Sequence, residues 1–98
     1  SVTDAVAIVD ANCTPKGTIK ITFAERVYYA SGFSVSVSDE NGSSIESTVT
    51  YKERKRLFID TDGMKKSTTY YVTISGIKSA ENGNEQSIRT TVTSKGKS

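Results

Sequence analysis

Histidine and tryptophan are missing from the 98 residues, and cysteine, proline and methionine occur once each. Without histidine, the chain lacks the commonest general base and the commonest transition-metal ligand. Serine and threonine are abundant, yet no Gly-x-Ser-x-Gly elbow and no glycine-rich phosphate loop accompanies them. A Ser–Lys pair is the one nucleophilic arrangement left open. The expectation is a protein that is not an enzyme and uses no cofactor. A lone Cys13 excludes an internal disulfide and a thiolate-rich metal site. It reads as a small buried hydrophobe near a strand end; the alternative is a reactive or intermolecular thiol, for which only Lys16 is near in sequence to lower the pKa. No apolar stretch is long enough to span a bilayer, and the Ser1 start lacks a secretion-signal pattern, so a signal would lie outside this segment. The net charge of +2 is too mild to argue for a nucleic-acid partner.

What the chain does have is alternation, over a length that suits one domain with a single core. In Thr69–Ile77, Tyr70, Val72 and Ile74 share one face, and Tyr71, Thr73 and Ser75 the other. Tyr70 follows a polar turn, Lys65–Thr68, headed by Met64, the layout of either a tyrosine corner or an ordinary strand tyrosine. The same period puts Ile19, Ile21 and Phe23 inward, then Phe33, Val35 and Val37, then Ile45, Val49 and Tyr51 on one side of a fourth strand. Leu57 and Ile59 point in from a fifth, with Phe58 facing out or half covered, and Ile88, Thr90 and Val92 alternate in the last. A first strand is expected over Ala5–Val9, closed by Asp10–Asn12. Val27 and Tyr28 form an extended segment crossing between layers, Asp39–Gly42 a hairpin turn, Lys52–Lys55 a second turn, Lys78–Gln86 a polar loop, and Ser94–Ser98 a frayed end or linker.

About seven short strands without a helical period predict an all-β, immunoglobulin-like antiparallel β-sandwich, with an OB-fold barrel as the rival. The expected core is Ile8, Ile19, Ile21, Phe23, Phe33, Val35, Val37, Val49, Leu57, Ile59, Met64, Tyr70, Val72, Ile74 and Val92.

Two stretches carry a family resemblance. Thr18–Val27, reading Thr-Ile-Lys-Ile-Thr-Phe-Ala-Glu-Arg-Val, and Ser67–Ile74, reading Ser-Thr-Thr-Tyr-Tyr-Val-Thr-Ile, are similar to strands of the bacterial Ig-like domains found in surface-layer and other bacterial cell-surface proteins. Gly76-Ile77 and Gly83-Asn84 look like the family's closing loop, although Ser79 stands where Asp is common and the spacing to Gly83 is one residue longer. The resemblance implies one module, residues 1–98, of a longer extracellular protein, at the bacterial cell surface or secreted. It implies a structural spacer or interaction module, with a carbohydrate- or protein-binding adhesion module as the alternative. Expected partners are neighbouring domains of the same chain, and cell-wall or host glycans or a protein; nucleic acid and direct membrane insertion are not expected.

Candidate ligand-binding residues fall into two groups. Lys52, Arg54, Lys55 and Arg56, with Glu53 among them, make the one dense basic run, flanked by Tyr51 and Phe58 for stacking. Such a run suits an anionic polymer; equally, it suits a solvated turn whose charges keep a sheet edge from pairing with other chains. Tyr28 and Tyr29 are adjacent, so one strand cannot bury both, and an exposed ring can stack on a sugar. Asp60 and Asp62, with Asp39, Glu40 and Asn41 or with Asn82, Asn84 and Glu85, offer oxygens for calcium, but the same residues are default turn formers, and no metal site is expected.

Overall fold

The alternating runs form seven strands: β1 (Ile8–Cys13), β2 (Thr18–Phe23), β3 (Val27–Asp39), β4 (Ser44–Lys52), β5 (Arg56–Asp62), β6 (Thr69–Ser79) and β7 (Glu85–Thr93). The computed structural model describes residues 6–80 and 85–94, and the predicted features at 1–5, 81–84 and 95–98 lie outside the described residues. Every ladder is antiparallel, in the order β1-β2-β5-β4-β3-β6-β7. Strands β1-β2-β5-β4 make one layer and β3-β6-β7 the other, the partition of an Ig constant-type sandwich. The layers are joined where β4 meets β3, and only Val37↔Ile45 and Ser38↔Ser44 pair across that joint. Asp39 shapes it: its carboxylate accepts from the N–H groups of Asn41 and Ser43, both at 2.9 Å, which turns the chain at Gly42.

Ile19, Ile21, Phe23, Leu57 and Ile59 from one layer, and Val27, Val37, Tyr70, Val72, Ile74, Ile77 and Val92 from the other, are buried. Ile8, Phe33, Val35, Val49 and Met64, expected in the core, are half-buried against its margin, whereas Val27 and Ile77 are core residues the alternation did not supply. Extra residues in β1 and β6 explain part of the difference. Ile8 pairs with Phe23 and Asp10 with Thr22, so Val9 bulges out and is 63% exposed, and the first strand runs through Asp10–Asn12 instead of stopping there. Ser75 pairs with Ser87 and Ile77 with Gln86, so Gly76 is the extra residue in β6. Past it the inward face shifts from even to odd positions, burying Ile77 and Ser79. The segment expected as a polar loop from Lys78 therefore remains strand as far as Ser79, and strand resumes at Glu85.

Tyr70 makes the tyrosine corner: its hydroxyl accepts the Lys65 N–H at 2.7 Å. Ser94 locks the same corner. Its N–H donates to the Thr68 carbonyl, its carbonyl accepts from Ser67 N–H, and its hydroxyl accepts from Thr68 N–H and donates to the Lys65 carbonyl. Ser94, placed by sequence in a frayed end, is buried and held.

Candidate functional site at the turn between β4 and β5

Glu53 N–H donates to the Arg56 carbonyl at 2.8 Å and closes a tight turn between Lys52 and Arg56. The other carbonyls of this turn are engaged by a different part of the chain. Val27 N–H donates to the Arg54 carbonyl and Phe23 N–H to the Lys55 carbonyl, both at 2.8 Å, while the Tyr29 hydroxyl donates to the Glu53 carbonyl at 2.5 Å. Four successive carbonyls are thus satisfied by backbone and a tyrosine, which fixes the turn's backbone while Lys52, Arg54, Lys55 and Arg56 remain exposed. The one carboxylate among them, Glu53, is paired with Arg56 at 3.7 Å. At an exposed site such a pair contributes little.

Tyr28 and Tyr29 meet this turn although some two dozen residues separate them from it in sequence. Tyr29 lies opposite buried Ile77 and turns into the seam between the layers, against Phe33 (ring centroids 4.9 Å apart, edge-on). Lys52 Nζ lies over both rings, at 5.5 Å from Tyr29 and 5.3 Å from Phe33. Tyr28 points the other way and is 48% exposed, with the Arg54 guanidinium 5.6 Å from its ring centre and Lys78 as its cross-strand partner.

Tyr51 and Phe58 form a third part. Val49 pairs with Ile59 and Tyr51 with Phe58, so Thr50 is an extra residue in β4 and Tyr51 is switched to the outer face, not aligned with Val49 as the alternation predicted. The two rings stand 5.8 Å apart, tilted by 53°, beside Lys20 of β2. All eight candidate residues therefore gather at one end of the sandwich, but Tyr28 and Tyr51 look out from opposite layers and do not form one flat platform.

Burial, reinforced by the Glu53 carboxylate, pushes the Tyr29 phenol up to about 12. A proton held more tightly in the folded state favours folding until it is lost. Stability from this group is complete below about pH 10, the unfolded value, and falls as pH rises toward 12. In an ultraviolet titration of the phenolates, Tyr29→Phe should remove a step near pH 12. Loss of a step near pH 10 in that variant instead would contradict the arrangement.

Cys13 and Asp60 are occupied in structural roles. Cys13 is buried, its Sγ donating to Met64 Sδ at 3.1 Å, and burial raises its pKa, which keeps it a thiol. Asp60 accepts from the Thr18 hydroxyl at 3.0 Å.

Known proteins match this chain by sequence family and by fold. A sequence model described as "Bacterial Ig-like domain" matches residues 3–94. Among solved structures, CopC from Methylosinus trichosporium OB3b superposes with a TM-score of 0.63 at 19% identity, covering 96% of this chain and 97% of that one. At that identity the likeness is one of fold. A search of curated proteins finds none that matches.

Proposed function

Because the chain belongs to the bacterial Ig-like domain family, we propose that it is a spacer and interaction module of a bacterial cell-surface or secreted protein, whose work is positional and involves no catalytic step. The carrying observation is how the chain passes through the sandwich. Val6 N–H donates to the Gln86 side-chain oxygen at 2.8 Å, beside the start of β7, and Ser94 is clamped at its far end. Ser94 is eight residues on from Gln86 along this strand, roughly 27 Å at the usual rise per residue. Val6 and Ser94 are thus held at opposite ends of β7, in a body measuring 47 × 23 × 22 Å. That geometry suits modules strung end to end, with tension borne along the strands.

A tandem of copies joined through their ends tests the proposal. Small-angle scattering should show the maximum dimension growing by about the 47 Å long axis per added copy. In pulling experiments each copy should unfold in one step, at a lower force once Ser94→Ala has removed the clamp. Copies folded back side by side, or rupture indifferent to Ser94→Ala, would sink it. A second reading, adhesion to a glycan or a protein, is favoured by the gathering of Tyr28 and Tyr29 onto the basic turn.

A further inference from the structure

We propose that the turn between β4 and β5, together with Tyr28, binds an anionic polysaccharide, a sugar chain bearing sulfate or phosphate groups. The site goes beyond the spacer reading, and its failure would leave that reading standing. Charge is the first argument. Within the run, Lys52, Arg54, Lys55 and Arg56 set four cations against Glu53, and Glu25 and Arg26 of the segment bonded to it cancel, leaving a local charge of +3 in a chain whose total is +2. The rest of the molecule therefore sums to a charge of −1, so this one run holds more positive charge than the whole chain.

Preorganisation is the second. A solvated turn that only guards a sheet edge has no need of its carbonyls, yet here those of Glu53, Arg54, Lys55 and Arg56 are all held from within the domain. The cations project from a fixed backbone, which lowers the ordering cost of binding. Third, Tyr28 supplies an exposed ring beside Arg54 and Lys78, with Glu85 across the strand from Lys78 as the one acidic neighbour in that row. A ring flanked by cations offers a stacking face for a pyranose and counter-charge for its substituents. A nucleic-acid duplex fits less well, since such binders commonly make about 6–10 phosphate contacts over a broadly basic face.

The test uses the whole 98-residue domain and heparin as probe, by calorimetry at 50 and 200 mM salt. Saturable binding should weaken by on the order of 50- to 100-fold between the two salts, as release of counterions from about four contacts requires. Arg54→Ala with Lys55→Ala should lower affinity by roughly 10-fold or more. Lys65→Ala with Lys66→Ala, the same charge removed at the opposite pole, should leave it unchanged. Tyr28→Ala should weaken heparin binding while the melting curve stays that of a folded domain. The proposal is overturned by an absence of saturable binding at 50 mM salt, by equal losses from the two lysine- and arginine-removing pairs, by tighter binding of a DNA of matched charge, or by full affinity in Tyr28→Ala.

Discussion

Gly76→Ala is expected to lower the unfolding free energy by about 4 kcal/mol, a large share of the roughly 5–10 kcal/mol usual for a domain of this size. Two costs add. Gly76 has φ +78°, where a Cβ is disfavoured by about 1–2 kcal/mol. A Cβ built there would also lie 2.8 Å from Gly32 C, Gly32 O and Phe33 Cα, backbone atoms that cannot rotate aside, and such overpacking costs about 1–3 kcal/mol.

The crowding has a topological origin. Between Tyr29↔Ile77 and Ser34↔Ser75, residues 30–33 of β3 face the single Gly76 of β6, and the surplus chain folds across it. Gly42→Ala is the control, since φ is +87° there but nothing lies within 4 Å of the added methyl. Urea unfolding should show a much lower midpoint for Gly76→Ala at unchanged slope, and a small shift for Gly42→Ala. Equal shifts would mean that backbone conformation alone, not close approach, sets the cost. Because the crowded segment carries Phe33, whose ring lies under Lys52, Gly76→Ala should also loosen the basic end.

The second large effect belongs to the corner. Tyr70 is 1% exposed, and its hydroxyl accepts the Lys65 N–H in a partly buried bond. Tyr70→Phe should cost about 1–3 kcal/mol for the orphaned Lys65 donor. Tyr70→Ala should cost about 3–5 kcal/mol more for the lost ring and the cavity it leaves. Since Tyr70 holds the N–H of Lys65 and Ser94 its carbonyl, the two act on one peptide segment. A double-mutant cycle of Tyr70→Phe with Ser94→Ala should therefore be non-additive. Strict additivity would show that the clamp and the corner are independent.

Much of this was open to reading in the sequence. Alternation at Ile19–Phe23, Leu57–Ile59 and Tyr70–Ile74 identified core strands, because a period of two is a local property of an extended chain and needs no partner to be seen. The polar turn before Tyr70 marked the corner, and the basic run marked itself by composition.

Bulges were not legible in the same way. Val9, Thr50 and Gly76 are each the surplus residue only relative to the strand they pair with, and a surplus of one reverses the face of everything beyond it. Thr50 thereby decided that Tyr51 joins Phe58 outside, and Gly76 that Ile77 is buried. The sequence by itself determined a seven-stranded sandwich and which residue types its basic end would carry. Only the tertiary structure brought Tyr28 and Tyr29 to that end and immobilised its carbonyls, since bonds from Phe23, Val27 and Tyr29 to a turn so far along the chain exist once the two layers have closed on each other.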